Sequence, residues 1–238
     1  MRVFAGPNGS GKTTIFKGIL AKKQVQLGVY VNADEIEQQL HNSGKLNFSA
    51  YNINVHDSQL KDFFEESTFS PIKRGEPDLF KKVSVVNNLF TSTAKIDSYL
   101  AADLAEFVRQ QLLISDISFT YETVMSYPDK IQFLTKALKK GYRVYLYFIA
   151  TEDPEINIAR VNIRVAQDGH AVPPDIIRNR YYKSLQNLKD AVNQSSRAYI
   201  FDNSQKQANL IAEITDGVDV ALNTDVELPN WVAINLLN

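Results

Sequence analysis

Near its amino terminus the chain reads Gly6-Pro7-Asn8-Gly9-Ser10-Gly11-Lys12-Thr13-Thr14. This run matches the pattern G-x-x-x-x-G-K-[ST], in which glycines let backbone N–H groups turn toward a phosphate without a clash from Cβ. The apolar segment Arg2–Ala5 precedes it, and Thr13–Lys23, with apolar residues at helical spacing, follows it. A glycine-rich turn without a ligand is the alternative. The strand–loop–helix context favours a nucleoside triphosphate site.

The residue types of this loop have distinct predicted roles. Lys12 is expected to reach the β- and γ-phosphates, and the Thr13 hydroxyl is expected to hold Mg²⁺. The helix that begins near Lys12 directs the positive end of its dipole at the same anion. ATP and Mg²⁺ are therefore the predicted cofactors. The residues predicted to bind the nucleotide are Gly6, Pro7, Asn8, Gly9, Ser10, Gly11, Lys12, Thr13 and Thr14.

Outward from the loop, apolar segments with strand character alternate with helical segments of about 10–15 residues. This order predicts an α/β fold with a mostly parallel, doubly wound sheet and helices on both faces. Tyr142–Ala150 is the clearest central strand, Ala198–Phe201 is a further strand, and Val218–Leu222 is a candidate edge strand. We predict a single domain over 1–238, with a mainly helical insertion at 44–95.

Composition excludes several classes of protein. The 238 residues include no cysteine, which removes thiolate catalysis and cysteine-based metal centres and fits a reducing, cytoplasmic compartment. Lys and Arg number 26 and Asp and Glu 27, so a nucleic-acid partner bound through bulk positive charge is not expected. No segment approaches the roughly 18 consecutive apolar residues of a membrane span, so no membrane association is expected.

Two carboxylates follow predicted strands and are candidates for chemistry. Asp34 comes after the strand Val29–Val31 and could accept the proton of an acceptor hydroxyl; the alternative is a helix N-cap formed by Asn32 or Asp34. Glu122 ends the strand predicted at Ile117–Tyr121 and could bind Mg²⁺ through water or a substrate hydroxyl. Its alternative is a solvated acid at a strand end.

Arginines flank the loop from Asp168 to Pro174. Arg160 and Arg164 share a helix face at i and i+4, a spacing that is unfavourable for like charges unless an anion lies between them. A mobile lid that brings arginines onto a transferring phosphate would supply charge stabilisation and exclude water. A basic solvent-exposed face is the alternative. His170, within the loop, is expected to be structural or a modest phosphate contact.

Other P-loop classes have signatures that this chain lacks. The N/T-K-x-D guanine motif of GTPases and the LSGGQ-like signature of transport ATPases are both absent from the sequence. The features present favour a small-molecule phosphotransferase. A module that binds ATP with little or no kinase activity and contacts a protein partner through 44–95 is the alternative. A polynucleotide 5′-hydroxyl kinase is disfavoured by the balanced charge.

An ordered set of motifs resembles the zeta-toxin family of P-loop kinases, in particular its chromosomal branch. The resemblance covers about residues 1–41 and 114–204. The motifs are GPNGSGKTT at 6–14, VNADEI at 31–36, SFTYETVMS at 118–126, RVNIRVAQDGHAVPPDIIRNRY at 160–181 and YIFDNS at 199–204.

This resemblance implies a kinase fold related to adenylate and shikimate kinases. Toxin members of the family phosphorylate the sugar hydroxyl of UDP-N-acetylglucosamine, which makes this nucleotide sugar the implied acceptor and an antitoxin-like protein an implied partner. By the same resemblance Lys12 and Thr13 match the phosphate-binding pair, Asp34 the hydroxyl-activating acid and Glu122 the strand-end acid.

The resemblance also implies which arginine belongs to the lid, and this sequence departs from the family pattern in two places. Arg164 is the best match to the lid arginine, with Arg160 and Arg180 as competitors. His170 lies near a place where toxin members can carry a second lid arginine. The segment 44–95 is longer than expected where the acceptor usually binds.

Overall fold

The computed structural model describes residues 1–21, 26–67, 74–166 and 171–237. The chain forms two compact units. The first consists of Met1–Leu27 together with Tyr121–Asn238, and the second is the continuous segment Gly28–Thr120. The segment 44–95 lies wholly within the second unit.

Strands and helices are numbered in chain order over the described residues. The strands are β1 (Arg2–Ala5), β2 (Val29–Val31), β3 (Lys45–Asn47), β4 (Val83–Val86), β5 (Leu89–Ser92), β6 (Phe119–Thr123), β7 (Tyr145–Ala150), β8 (Arg197–Asp202), β9 (Asn209–Thr215) and β10 (Asp219–Leu222). The α-helices are α1 (Lys12–Ala21), α2 (Ala33–Ser43), α3 (Asp57–Glu66), α4 (Ser98–Ile114), α5 (Pro128–Lys139), α6 (Pro154–Val165), α7 (Pro174–Gln186), α8 (Leu188–Asn193) and α9 (Asn230–Val232). A π-helical turn, Ala233–Leu237, follows α9.

The sheet of the first unit has its strands in the order β10-β9-β8-β7-β1-β6. Strand β1 pairs in parallel with β7, and β7 pairs in parallel with β8, while β9 and β10 are antiparallel additions at one edge. On the other side of β1, the Gly6 N–H donates to the Thr123 carbonyl at the end of β6 (3.2 Å). The carboxyl ends of β1, β6, β7 and β8 therefore meet at one edge of the sheet. That edge is where ligands bind in parallel α/β sheets.

Burial explains why these strands form. Val3, Phe4 and Ala5 of β1 have no exposed surface, and β7 is buried over its last five residues. Strands covered on both faces are apolar along their length, as parallel strands in α/β proteins are. The α/β prediction with a mostly parallel sheet is confirmed.

Strand β9 was not predicted, and a local irregularity explains why. A register shift between β8 and β9 lies at Ile200/Phe201. Beside it the consecutive residues Ile211 and Ala212 are both buried, which breaks the alternation that indicates a strand. The predicted edge strand at Val218–Leu222 is confirmed as β10.

Helix ends follow the capping residues of the sequence. Asn32 precedes α2, and its side-chain oxygen accepts a hydrogen bond from the Asp34 N–H (2.9 Å). Gly44 ends the same helix in the left-handed region, with φ of +67°, which glycine adopts without a Cβ clash. Asp153 caps α6 in the same way as Asn32 caps α2.

The second unit contains a small sheet that the sequence pattern did not reveal. Strands β3, β5 and β4 pair antiparallel in that order. The prediction for 44–95 was a mainly helical insertion; this segment holds α3 and two 3₁₀ turns, but also all three of these strands. Each strand has only three or four residues, too few for an alternating pattern to stand out.

Aromatic side chains form the core of the second unit. Phe48, Phe64 and Phe90 have no exposed surface, and Phe107 of α4 is 1% exposed. The rings of Phe48 and Phe107 meet edge to face, with centroids 5.7 Å apart. Phenylalanines of 44–95 and of α4 therefore form part of the core of this unit, together with buried leucines such as Leu46 and Leu60.

Phe90→Ala tests this core. Because Phe90 is fully buried on β5, we expect the free energy of unfolding to fall by about 3–5 kcal/mol through lost transfer energy and an unfilled cavity. Urea titration followed by circular dichroism measures the change. Val86→Ala on the neighbouring strand is the control: Val86 is 64% exposed, so a change within about 0.5 kcal/mol is expected. Equal effects of the two substitutions would contradict this assignment of the core.

Candidate functional site

The predicted phosphate loop connects β1 to α1 at the carboxyl edge of the sheet. Gly9 and Gly11 have φ values of +75° and +96°, a region that residues with a Cβ rarely adopt. The Ser10 N–H donates to the Pro7 carbonyl (3.3 Å), which closes the turn on itself. The loop thus has the strand–turn–helix geometry that the sequence pattern predicts.

Lys12 lies against the loop that it follows. Its ammonium group is half-buried and donates hydrogen bonds to the carbonyls of Gly6 (2.9 Å) and Pro7 (2.8 Å). The positive charge is therefore located at the turn itself. An anion bound in the turn would lie close to this charge.

Thr13 and Glu122 are brought together although 109 positions separate them in sequence. The Thr13 hydroxyl donates to a carboxylate oxygen of Glu122 at 2.9 Å. The contact joins the first turn of α1 to the end of β6. It gives a hydroxyl oxygen and a carboxylate oxygen side by side, and both are ligand types that Mg²⁺ prefers.

The backbone that follows Glu122 accepts hydrogen bonds from side chains in and directly after α7. Ser184 of α7 donates to the Val124 carbonyl (2.7 Å), and Asn187 donates to the Met125 carbonyl (2.9 Å). Met125 itself is buried and has φ of +58°, an unfavourable conformation for a residue with a side chain. These two donors stabilise the backbone at and before Met125, the strained residue three positions after Glu122.

Asp34 belongs to the second unit, where it is exposed in the first turn of α2. Asn32 is the capping residue of this helix, and Asp34 contributes its N–H to the cap. The capping alternative therefore applies to Asn32 and leaves the Asp34 carboxylate without that role. A function for Asp34 in proton transfer stays a prediction.

The candidate lid arginines have different surroundings. Arg160 donates to the Asn203 carbonyl at 2.8 Å, so its guanidinium group holds the loop after β8. Arg164 is exposed in the last turn of α6, and Arg180 is half-buried in α7. The role predicted for Arg164 stays a prediction. The intervening loop residues 167–170, including His170, lie outside the described residues.

Two asparagines that sequence reasoning missed contact the phosphate loop. Asn157 donates to the Asn8 carbonyl (2.6 Å), and Asn203 donates to the Ser10 carbonyl (2.7 Å). Asn203 lies in the YIFDNS motif, which is part of the family resemblance but carries no predicted role of its own. Asn157 lies on the buried face of α6, where it has no exposed surface. In the sequence, Asn157 shares a helical spacing with the apolar residues Pro154, Ile158 and Val161, which places an amide on the apolar face, where it needs a hydrogen-bond partner.

Within the ranges that the structure describes, no group of three or more His, Asp or Glu side chains is arranged to hold a metal ion. Over the same ranges, no helix is both long enough and apolar enough to cross a lipid bilayer.

A parallel α/β sheet with this strand–loop–helix at its carboxyl edge defines a P-loop protein. The chain belongs to the zeta-toxin family, since the family model described as "Zeta toxin" matches residues 92–213, about half of its length. The match includes β6 and Glu122, α6, α7 and the loop after β8. The phosphate loop itself precedes the matched region.

Similar proteins support the same fold. The chain is similar to the crystal structure of AvrRxo1-ORF1:AvrRxo1-ORF2 with sulphate ions, with a TM-score of 0.53 and 13% identity over 93% of this chain and 60% of that one. The AvrRxo1-ORF1:-ORF2 structure with ATP gives a TM-score of 0.53 and 14% identity over 94% and 60%. An uncharacterised protein of Haemophilus influenzae is 37% identical over 65 residues, 27% of this chain and 46% of that protein. The similarity thus spans less than two thirds of each of these relatives.

Tyr181 provides a pH-dependent test of the packing around the site. Its hydroxyl donates to the Thr151 carbonyl (2.6 Å), and burial, followed by the nearby Glu152 carboxylate, raises the pKa of this phenol. Well below pH 10, the ordinary pKa of tyrosine, the phenol is protonated in both the folded and the unfolded state, so its contribution to stability is complete. At higher pH the unfolded chain ionises first, and stability falls as pH rises.

Tyr181→Phe removes both the hydrogen bond and this titration. We expect the free energy of unfolding at pH 8 to drop by about 1–3 kcal/mol, because a buried carbonyl loses its donor. Above pH 10 the decline of stability should be shallower in the variant than in the wild type. Urea titrations at pH 8, 10 and 11 measure both effects, and parallel alkaline declines would contradict the assignment.

Proposed function

We propose that the protein is an ATP-dependent kinase of the zeta-toxin type, which transfers the γ-phosphate of ATP to a hydroxyl group of a small molecule. Membership of the family supports this proposal, as does the crystal structure of a similar fold, AvrRxo1-ORF1:-ORF2, determined with ATP. A cytoplasmic location is part of the proposal, in keeping with a chain that has no cysteine.

The observation that carries the proposal is the contact of Thr13 with Glu122 beside the phosphate loop. A loop that only captured an anion would not need a carboxylate at its mouth, because a negative charge there opposes anion binding. With a divalent cation present, the same carboxylate becomes favourable. The pair is thus suited to a nucleotide that arrives with Mg²⁺.

Each residue of the site has a proposed role. Lys12 and the N–H groups of the loop bind and orient the triphosphate, and Thr13 and Glu122 would hold Mg²⁺, Glu122 through a water molecule. Mg²⁺ supplies charge neutralisation at the phosphate oxygens when it is bound. Asp34 accepts the proton of the acceptor hydroxyl as its oxygen bonds to the γ-phosphorus. The bond from that phosphorus to the β–γ bridging oxygen breaks, and ADP leaves.

The proposed acceptor is a nucleotide sugar, with UDP-N-acetylglucosamine as the first candidate from the family resemblance. We propose that Arg164 contacts the transferring phosphate, with Arg180 as the alternative. The single domain over 1–238 with its insertion at 44–95 is kept as a proposal, and the insertion is the part that would determine which acceptor binds.

A protein partner is the second proposal. The similar AvrRxo1-ORF1:AvrRxo1-ORF2 structure is itself a complex of two proteins, which supports an antitoxin-like partner for this chain. If the partner function dominates, the protein would bind ATP with little or no transfer, and 44–95 would contact the partner.

A transfer assay distinguishes these proposals. The wild type is incubated with γ-labelled ATP and a panel that contains UDP-N-acetylglucosamine, other sugar nucleotides and nucleosides, and labelled products are separated by chromatography. We expect Lys12→Ala to abolish transfer. Asp34→Asn should keep ATP binding and lower the rate of transfer by about 10²–10⁴-fold, the usual contribution of a general base.

Glu35→Gln is the matched control, since it removes one charge from the same helical turn without touching the predicted base. Its rate should stay within about twofold of the wild type. Near-wild-type turnover in Asp34→Asn would remove this residue from the mechanism. Binding of ATP without any labelled product across the panel would favour the module with a protein partner.

The role proposed for Glu122 predicts a changed dependence on Mg²⁺. Glu122→Gln keeps the size of the side chain but removes its charge, so the Mg²⁺ concentration for half-maximal transfer should rise about tenfold, with activity partly restored at high Mg²⁺. Rates measured over a Mg²⁺ series test this expectation, with the exposed Glu227→Gln as the control. An unchanged Mg²⁺ dependence would show that Glu122 acts elsewhere.

A further inference from the structure

The carbonyl groups of the phosphate loop point in two different directions. Those of Gly6 and Pro7 accept hydrogen bonds from Lys12, whereas those of Asn8 and Ser10 accept from Asn157 and Asn203. The loop is therefore held by a lysine on one side and by two side-chain amides on the other.

The direction of a carbonyl determines the direction of the next N–H. A trans peptide group is planar, so the C=O of one residue and the N–H of the following residue point in opposite directions. The chain has no cis peptide bond among its described residues. Holding the Asn8 carbonyl toward Asn157 consequently turns the Gly9 N–H away from Asn157. In the same way, the hydrogen bond from Asn203 to Ser10 turns the Gly11 N–H away from Asn203.

Asn157 is itself held in a single orientation. It has no exposed surface, and the Thr151 hydroxyl donates to its side-chain oxygen. Because the oxygen of the Asn157 amide accepts this hydrogen bond, its NH₂ group must point the other way, toward the Asn8 carbonyl. A buried donor with one orientation is a more rigid support than water or an exposed side chain would be.

Asn203 is held through its backbone. Its N–H donates to the Ala150 carbonyl at the end of β7 (2.8 Å), and its carbonyl accepts from the Arg160 guanidinium group (2.8 Å). Next to it, the buried Asp202 accepts hydrogen bonds from the Trp231 indole (3.0 Å) and the Ser204 hydroxyl (2.8 Å). The residue that contacts Ser10 is thereby connected to β7, to α6 and to α9.

Glycine is required where the two asparagines approach the loop. A Cβ on Gly11 would lie 2.2 Å from the Asn203 side-chain nitrogen, and one on Gly9 would lie 2.5 Å from the Asn157 backbone carbonyl oxygen. The loop thus lies in direct contact with both asparagines. The two asparagines thus fix two peptide groups of the loop, the one after Asn8 and the one after Ser10.

We propose that Asn157 and Asn203 are positioning residues of the nucleotide site, and that their amides hold the Asn8 and Ser10 carbonyls so that the Gly9 and Gly11 N–H groups are directed toward bound phosphate. This inference rests on the proposed nucleotide site and adds residues to it. In this proposal Arg160 stabilises the position of Asn203. Its role therefore differs from that of the arginines proposed to contact the transferring phosphate.

The test measures binding of inorganic tripolyphosphate, which contacts only the phosphate part of the site, by calorimetry with the 238-residue chain. Asn157→Ala and Asn203→Ala should each weaken binding about fivefold to tenfold, the effect of one lost hydrogen bond. Hydrogen exchange of the Gly9 and Gly11 amides at saturating tripolyphosphate should become faster in both variants. A role in overall stability alone would not change these two amides selectively.

Two further variants keep the test decisive if Asn157→Ala does not fold. Thr151→Val keeps the shape of the side chain but removes the hydroxyl that orients Asn157, and should weaken binding about twofold to fivefold. Asn162→Ala, at an exposed position of the same helix, is the control and should bind like the wild type. Its agreement with the wild type supports the assignment to the two buried contacts.

The outcomes separate this inference from the proposed function. If the wild type binds ATP and tripolyphosphate but folded Asn203→Ala and Thr151→Val bind equally well, the inference is overturned and the proposed function stands. If the wild type binds neither ATP nor tripolyphosphate, the nucleotide site and this inference both fail. Weaker tripolyphosphate binding together with faster exchange at Gly9 and Gly11 supports the inference.

Discussion

Hydrogen bonds to the backbone carbonyls of the loop between β1 and α1 are the constraint on which the site depends. Three glycines of this turn, Gly6, Gly9 and Gly11, have positive φ, so its backbone does not follow a helix or sheet pattern and several of its carbonyls take donors from side chains. Lys12 supplies donors from within the motif, and Asn157 and Asn203 supply them from far along the chain. The geometry of the loop is consequently a property of the whole first unit.

Parallel pairing brings those distant donors to the loop. Strand β1 lies between β6 and β7, and β7 pairs with β8, so the residues that follow these strands gather at one edge of the sheet. Glu122 reaches Thr13 from the end of β6, Thr151 follows β7, and Asn203 follows β8. The short apolar strands thus determine which polar side chains meet.

The family match and the motif describe complementary parts of this arrangement. The matched region, 92–213, contains Glu122, Asn157 and Asn203 but ends before the carboxyl-terminal helix and begins after the phosphate loop. The loop is identified by its own pattern, and the residues that contact it lie in the family segment. Because Asp202 also binds Trp231, the carboxyl-terminal part of the chain is connected to the same network.

The amino-acid sequence was sufficient for features that depend on neighbouring residues. The loop motif, the capping of α2 by Asn32 or Asp34, the break at Gly44 and the apolar strands could all be predicted, because each follows from local sterics, capping or periodicity. The placement of Glu122 at a strand end was also predictable, although its contact with Thr13 was not. Strands β3, β4 and β5 are too short to show the alternation of apolar and polar residues that predicts a strand. The bulge between β8 and β9 interrupts this alternation in β9, so β9 could not be predicted either.

Tertiary structure was needed for contacts between residues far apart in sequence. Nothing near Asn157 in the chain indicates that its amide meets the Asn8 carbonyl 149 positions away, and the same holds for Asn203 and Ser10. Arg160 and Arg164 share a helix face and look equivalent in sequence, yet the folded chain directs Arg160 to the Asn203 carbonyl. The physical reason is that a hydrogen bond depends on position and direction in space, and for distant residues the packing of strands and helices sets both.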